Sequence, residues 1–145
     1  MRYQVFDDRI QIRGETGEHA AEAVMEVLRK ERITYASLTG LGAVRWAKFA
    51  YYNATTRSYE EHEIDEQMEV ISLVGNTTLR DGSPFIHWHV GLARHDMSMI
   101  GGHFLDAVIR PTLEVWLRRE STEIHRVFDD ASGLALMNLS QPAEG

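Results

Sequence analysis

The sequence has no cysteine, only three prolines among 145 residues, and fewer basic than acidic side chains. Without cysteine there is no disulfide framework, no thiolate nucleophile and no cysteine-ligated zinc site. No apolar run approaches the roughly 18 to 20 residues that a membrane-spanning helix needs. These absences favour a soluble protein of the cytoplasm. The length favours a single domain, residues 1–140, followed by a loose tail, residues 141–145.

The balance of charge argues against a nucleic-acid partner. Fifteen basic and 22 acidic residues give a net charge of −7, and a field of that sign repels a phosphate backbone. The longest basic runs are the pairs Arg29-Lys30 and Arg118-Arg119, and Gly is never followed by Arg. The Arg-Gly-Arg-Pro clamp that binds the DNA minor groove is therefore absent. The acidic run Glu60–Glu66 is interpreted as a solvated strand end or turn.

Hydrophobic periodicity predicts one helix near the start of the chain and strands elsewhere. Residues 17–31 carry one apolar stripe, with Thr16 as the predicted N-cap; its members are Ala20, Ala21, Val24, Val27 and Leu28. Segments rich in β-branched and aromatic residues predict strands: Ile33–Leu38, Trp46–Tyr52, Met68–Val74, Phe85–Ala93, Thr112–Leu117, Ile124–Phe128 and Ala135–Leu139. Arg2–Phe6 and Ile10–Arg13 predict a hairpin, and Thr39–Gly42 a turn or bulge. The fold class is α+β, a mostly antiparallel sheet with the helix packed on it.

Four of the seven histidines lie between positions 87 and 103. Side chains alternate along a strand, so His87 and His89 share one face while Ile86, Trp88 and Val90 share the other. Imidazoles two residues apart can converge on one ion with metal–nitrogen bonds of about 2.0–2.1 Å. This spacing predicts two ligands of a metal site.

The third ligand has to come from another segment, and His103 is the natural candidate. The preceding Gly101-Gly102 allows the chain to approach closely. Three histidines and an open fourth position suit zinc and are acceptable to nickel, copper or iron. The alternative is an exposed polar strand face without a metal. His95 is interpreted as a loop residue rather than a fourth ligand, and His19, His62 and His125 as solvated.

Glu69 stands out from the acidic background because it lies in the largely apolar segment Met68–Val74. A buried carboxylate needs a partner. Glu69 is thus a candidate catalytic residue, either as an orienting acceptor for a ligating histidine or as a general base on metal-bound water. The alternative is that Glu69 begins its strand and reaches water.

Several motifs together resemble the PPC domain, the plants and prokaryotes conserved domain. They are Leu38–Val44 (LTGLGAV), Met68–Gly75 (MEVISLVG), His87–Leu92 (HWHVGL) and Gly101–Leu105 (GGHFL). The resemblance extends from about Tyr3 to about Leu139. It implies an α+β fold assembled as a homotrimer, and, in stand-alone prokaryotic members, a metal, commonly zinc, held by the histidines matching His87, His89 and His103.

Three functions remain open at this point. The first is a metal site that serves small-molecule binding or metal-assisted chemistry, with a molecular role still unassigned. The second is DNA binding or a transcription-associated role, as prokaryotic relatives are often described; it predicts a steep loss of affinity with salt. The third is a structural interaction module, in which loss of the metal lowers stability without abolishing ligand binding.

Overall fold

The computed structural model describes residues 1–139; the predicted tail, residues 141–145, lies outside them. Within the described residues a seven-stranded antiparallel sheet carries one helix, and a two-stranded hairpin follows it. The elements are β1 (Arg2–Val5), β2 (Arg9–Glu15), α1 (Ala20–Lys30), β3 (Ala36–Asn53), β4 (Ser58–Ile64), β5 (Met68–Arg80), β6 (Ser83–Ala93), β7 (Met99–Arg119), β8 (Arg126–Asp129) and β9 (Leu134–Met137). The predicted antiparallel sheet with one helix is confirmed.

The strands follow the order β1-β2-β7-β6-β5-β3-β4, and β3 also pairs with β7. Because β6 joins β5 to β7 while β3 joins the same two strands, these four strands close on themselves like a small barrel. A closed arrangement fixes the register of every strand in it. It also divides the side chains into an interior set, which forms the core, and an outward set.

The helix α1 turns the predicted apolar stripe towards the sheet. Ala21 is only partly buried, whereas Ala23 is buried. On the outer face the Lys30 ammonium donates to the Glu26 carboxylate at 2.5 Å. The apolar face of α1 is therefore what attaches it to the rest of the molecule; its buried members are Ala20, Ala23, Val24, Val27 and Leu28.

The prediction that Thr16 caps the helix is wrong. The helix begins at Ala20, and the Thr16 hydroxyl instead donates to the carbonyl of Pro111 on β7, at 2.9 Å. A carboxylate from the same strand takes over part of the capping role, since Asp106 Oδ1 accepts from the Ala21 N–H at 3.1 Å. Pairing of the preceding segment with β7 delays the start of the helix, a long-range effect that local capping rules do not contain.

The strands are longer than the apolar segments predicted. The interpretation of Thr39–Gly42 as a bulge rather than a turn is the correct one, because β3 continues through it with a register shift between Gly40 and Gly42. A Cβ at Gly42 would overlap the carbonyl oxygen of Thr112 on β7. Glycine thus lets β3 and β7 approach closely at the bulge.

The acidic run is more regular than predicted. Residues 58–64 form the complete edge strand β4, which pairs with β3 alone. The Lys48 ammonium on β3 lies 2.7 Å from the Glu61 carboxylate and 3.3 Å from that of Glu63. Residues 58–63 are all exposed, so both faces of this edge strand are solvated and no apolar alternation is needed. Its charges discourage edge-to-edge association.

Among the described residues, no helix has the length and apolar character needed to cross a lipid bilayer.

Candidate metal centre

The three histidines singled out in the sequence lie together on the outward face of the sheet. His89 on β6 is directly opposite His103 on β7, and His87 lies two residues before His89 on β6. The ring centroid of His87 lies 5.3 Å from the ring centroid of each of the other two imidazoles, and the centroids of His89 and His103 are 5.5 Å apart. One nitrogen from each ring lies within 4.8 Å of the others. This spacing lets three imidazoles reach one ion with small side-chain adjustments.

Neighbouring residues of both strands anchor this arrangement in the core. Trp88 and Phe104, the residues next to His87 and His103, are 3 % exposed, and their rings meet edge to face with centroids 4.7 Å apart. Gly101 provides close contact between the strands, because a Cβ there would overlap the carbonyl oxygen of Val90. The core face therefore fixes where the outward imidazoles lie.

The electrostatics keep two of the rings in the neutral form that binds metals. Burial first, and then the neighbouring His87, His89 and Arg126, together lower the pKa of His103 to about 4. Burial, then the Arg126 guanidinium and His89, lower the pKa of His87. The Nδ1 atom of His103 is buried and has no hydrogen-bond partner among the described residues. A buried, unpartnered nitrogen of a neutral imidazole fits a metal ligand, because a metal would satisfy it.

Two neighbours of the cluster were missed by the sequence analysis. The Tyr59 ring on β4 lies 4.9 Å from the His103 ring, centroid to centroid. Arg126 Nη2 on β8 lies 3.3 Å from His87 Nδ1. Both residues come from segments distant in sequence, and no local pattern marks either. The aromatic residues next to the histidines, Trp88 and Phe104, belong to the core and do not line the cluster.

Comparison with known proteins decides the family. The family described as the Plants and Prokaryotes Conserved (PCC) domain matches residues 1–120. This chain belongs to that family. A metal-containing protein from Archaeoglobus fulgidus is 32 % identical with a TM-score of 0.86, over 95 % of this chain and 97 % of the other. No curated protein matches this PCC-domain sequence.

Other solved structures share the fold of this PCC domain. A plant- and prokaryote-conserved protein from Pyrococcus horikoshii is 26 % identical with a TM-score of 0.84, over 97 % of both chains. A candidate DNA-binding protein from Bacteroides thetaiotaomicron is 23 % identical with a TM-score of 0.91, over 94 % of this chain and 96 % of that one. The last of these shows likeness of fold alone.

In this PCC domain Glu69 does not join the histidines. It is exposed, and it pairs with Ala93 and Ala43. Val74, the β5 partner of His89, is five positions further along, which corresponds to about 16 Å at the rise of an extended strand. Glu69 lines a different depression at the other end of the sheet. The structure supports the interpretation that Glu69 begins its strand and reaches water.

The remaining histidines of the PCC domain lie elsewhere. His95 lines the same distant depression as Glu69. His62 stacks on Phe49 from the exposed strand β4, with ring centroids 6.3 Å apart. His19 and His125 each contact a carboxylate and are about half exposed. The cluster within the described residues thus consists of His87, His89 and His103.

Proposed function

We propose that residues 1–140 form a single domain in which His87, His89 and His103 hold a divalent transition metal, with zinc the first choice. The observation that carries the proposal is the set of three imidazole nitrogens within 4.8 Å of one another. In addition, His103 Nδ1 is buried and has no partner among the described residues. The metal-containing relative from Archaeoglobus fulgidus, at 32 % identity, supports the same assignment. The donor set is nitrogen only, which favours zinc, copper or nickel over calcium and magnesium.

The proposed role is small-molecule binding or metal-assisted chemistry. Zinc held by three histidines, when bound, activates water or polarises a carbonyl. The residues of this chain then hold and orient the site: Trp88 and Phe104 fix the strands, and burial lowers the pKa of His87 and of His103. Burial raises the pKa of Tyr59 beside His103, so its phenol stays protonated at neutral pH and can donate a hydrogen bond to a ligand.

The test is the metal content of the tag-free protein, measured by elemental mass spectrometry beside His89→Ala. We expect about one zinc per chain in the parent and almost none in the variant. His62→Ala is the matched control, because this histidine also lies on a strand and outside the cluster. Parent protein that takes up no metal when zinc is supplied at neutral pH would rule out the proposal.

We further propose a homotrimer, in which the outward face beside the histidines is covered. Four large apolar side chains on that face are solvent-exposed: Leu41 at 50 %, Ile71 at 59 %, Val74 at 47 % and Met99 at 56 %. They lie on adjacent strands, and Val74 pairs with His89. Contiguous exposed apolar side chains are typical of protein–protein interfaces.

Light scattering tests the assembly. Three 16.6 kDa chains give a mass of about 50 kDa, and Val74→Glu should shift the protein towards the mass of one chain because a charge would be buried. The parent eluting as a monomer would exclude the trimer and leave the metal site unaffected.

DNA binding is the alternative suggested by the name of the Bacteroides thetaiotaomicron neighbour. The net charge of −7 opposes it. Fluorescence anisotropy with duplex DNA at two salt concentrations tests it: a DNA-binding protein would bind and lose affinity steeply with salt. We expect no binding at either concentration.

A further inference from the structure

A small depression beside the histidine cluster contains a concentration of positive charge. Its volume is about 250 Å³, and no carboxylate is among its lining residues in the described part of the chain. The two basic residues that line it are Arg80 and Arg126. The remaining walls are aromatic, imidazole and aliphatic: Tyr59, Phe85, His87, His103 and Leu134–Leu136.

Arg126 is held in a fixed orientation. Its Nε donates to Thr78 Oγ1 at 2.9 Å, Nη1 to the carbonyl oxygen of Ala135 at 2.9 Å, and Nη2 to Asn76 Oδ1 at 3.1 Å. The remaining contact is Nη2 with His87 Nδ1 at 3.3 Å. All these partners are neutral, so a half-buried guanidinium lacks a compensating charge among the described residues.

Arg80 is a second cation beside Arg126, and both guanidinium groups lie against the Phe85 ring. The Arg80 guanidinium carbon is 4.4 Å from the Phe85 ring centroid, and that of Arg126 is 5.1 Å from it. Burial first, and then Arg80, lower the pKa of Arg126. Two guanidinium groups brought together without an acid repel each other, and an anion placed between them would relieve that repulsion.

A metal on His87 would free one N–H of Arg126. His87 Nδ1 accepts this N–H only while it carries neither a proton nor a metal. A metal on Nδ1 would take the lone pair directly. A metal on Nε2 of the neutral ring would leave the proton on Nδ1. In both cases Nη2 loses its acceptor beside a site that has gained positive charge.

We propose that this depression binds a small organic acid, whose carboxylate is held by Arg126 and Arg80 beside the three-histidine site. The planar guanidinium fork matches a carboxylate. Phe85, Leu134 and Leu136 provide an apolar wall for the rest of the molecule, and the volume restricts the ligand to a few carbon atoms. The inference deepens the proposed metal function and rests on it for the release of the Arg126 N–H.

The test is isothermal titration calorimetry of zinc-supplied full-length protein with butyrate as the probe. Butyramide, which has the same shape without the charge, should bind at least about tenfold more weakly, since a charge-assisted contact is lost. Inorganic phosphate should also bind more weakly, because it gains nothing from the apolar wall. Butyramide or phosphate binding as tightly as butyrate would overturn the proposal.

Three variants locate the binding. Arg126→Gln should weaken butyrate about ten- to a hundredfold, and Arg80→Gln by a smaller factor. Arg57→Gln is the matched control, because its guanidinium also contacts the β8–β9 segment, through the Asp130 carbonyl at 3.2 Å, but lies outside the depression. Arg80→Gln keeps the test valid if Arg126→Gln does not fold, since the Arg80 side chain makes no hydrogen bond among the described residues. Unchanged butyrate affinity in the folded variants would overturn the proposal.

The two proposals fail in different ways. Zinc uptake without butyrate binding would support the metal site and exclude the organic-acid site. The converse result is a protein that takes up no zinc but binds butyrate through Arg126. It would support the anion site and exclude the metal site. Zinc content measured on the same samples by elemental mass spectrometry separates these results.

Discussion

Two depressions on this molecule differ in how their charges are satisfied. The larger, about 620 Å³, contains Glu66, Glu69, Arg94 and His95. There Arg94 Nε and Nη2 donate to the two oxygens of Glu66 at 2.7 and 2.8 Å. The smaller, about 250 Å³, contains His87, His103 and Arg126, and no carboxylate among the described residues lines it. Unsatisfied polar groups, rather than volume, therefore indicate where a ligand belongs.

The largest expected effect is a difference in zinc affinity between histidine variants of the two depressions. His87→Ala should weaken zinc binding by more than about a hundredfold, because loss of an outer partner alone costs about 10–100-fold and this change removes a ligand. His95→Ala should leave zinc affinity unchanged. Competition with a chromophoric chelator measures both. Equal losses in the two variants would contradict the assignment of the site.

Gly101→Ala tests how the strands position the cluster. The added methyl would overlap the Val90 carbonyl oxygen, so we expect a destabilisation of about 1–3 kcal/mol and weaker zinc binding, because His89 and His103 would be displaced relative to each other. Urea unfolding and zinc titration provide the two readouts. Gly82→Ala is the control for the zinc readout, since a Cβ at this turn meets no atom within 4 Å.

Acid should destabilise the chelator-treated protein through the smaller depression. The pKa of His103 is lowered to about 4 in the folded state, against about 6.5 in an unfolded chain. The unfolded state therefore binds an additional proton between these values, so stability decreases as the pH falls from about 6.5 towards 4. The decrease, followed by urea midpoints, should be shallower in His103→Gln. The same slope in both proteins would show that His103 is not the group responsible.

The smallest effect is expected in the larger depression. Glu66→Gln should cost less than about 1 kcal/mol, because the Glu66–Arg94 pair is partly exposed and screened by solvent. Glu69→Gln should leave both the unfolding free energy and the zinc content near parent values. Loss of zinc from Glu69→Gln would link the larger depression to the metal and would again make Glu69 a candidate catalytic residue.

Local patterns predicted the features that depend on a single segment. The helix stripe on α1 and the core position of Trp88 follow from periodicity, since side chains repeat at 3.6 residues in helices and at 2 in strands. The common face of His87 and His89 follows from the same rule. Thr16 failed as a cap because two residues about 90 positions later in the chain act on this region: Pro111 binds Thr16, and Asp106 binds the first turn of α1.

The neighbours of the cluster could not be predicted in this way. Tyr59 and Arg126 come from β4 and β8, which carry no motif linking them to the histidines. Arg126 also lies beyond the residues 1–120 that the family match covers. Glu69 lies among apolar residues in the sequence but occupies an exposed position in the fold, so only the structure favours the alternative of a solvated strand start.

Alternation and glycine chemistry are properties of short segments, so the fold class, the common face of His87 and His89, and the candidacy of His103 could be predicted from the sequence. The folded sheet was needed to place His103 opposite His89 and Glu69 away from the cluster. It was also needed to place Arg126 beside the cluster with no acid near it among the described residues. Strand register and burial are set by closure of the whole sheet. Burial, in turn, lowers the pKa of His87 and of His103 and favours their neutral form.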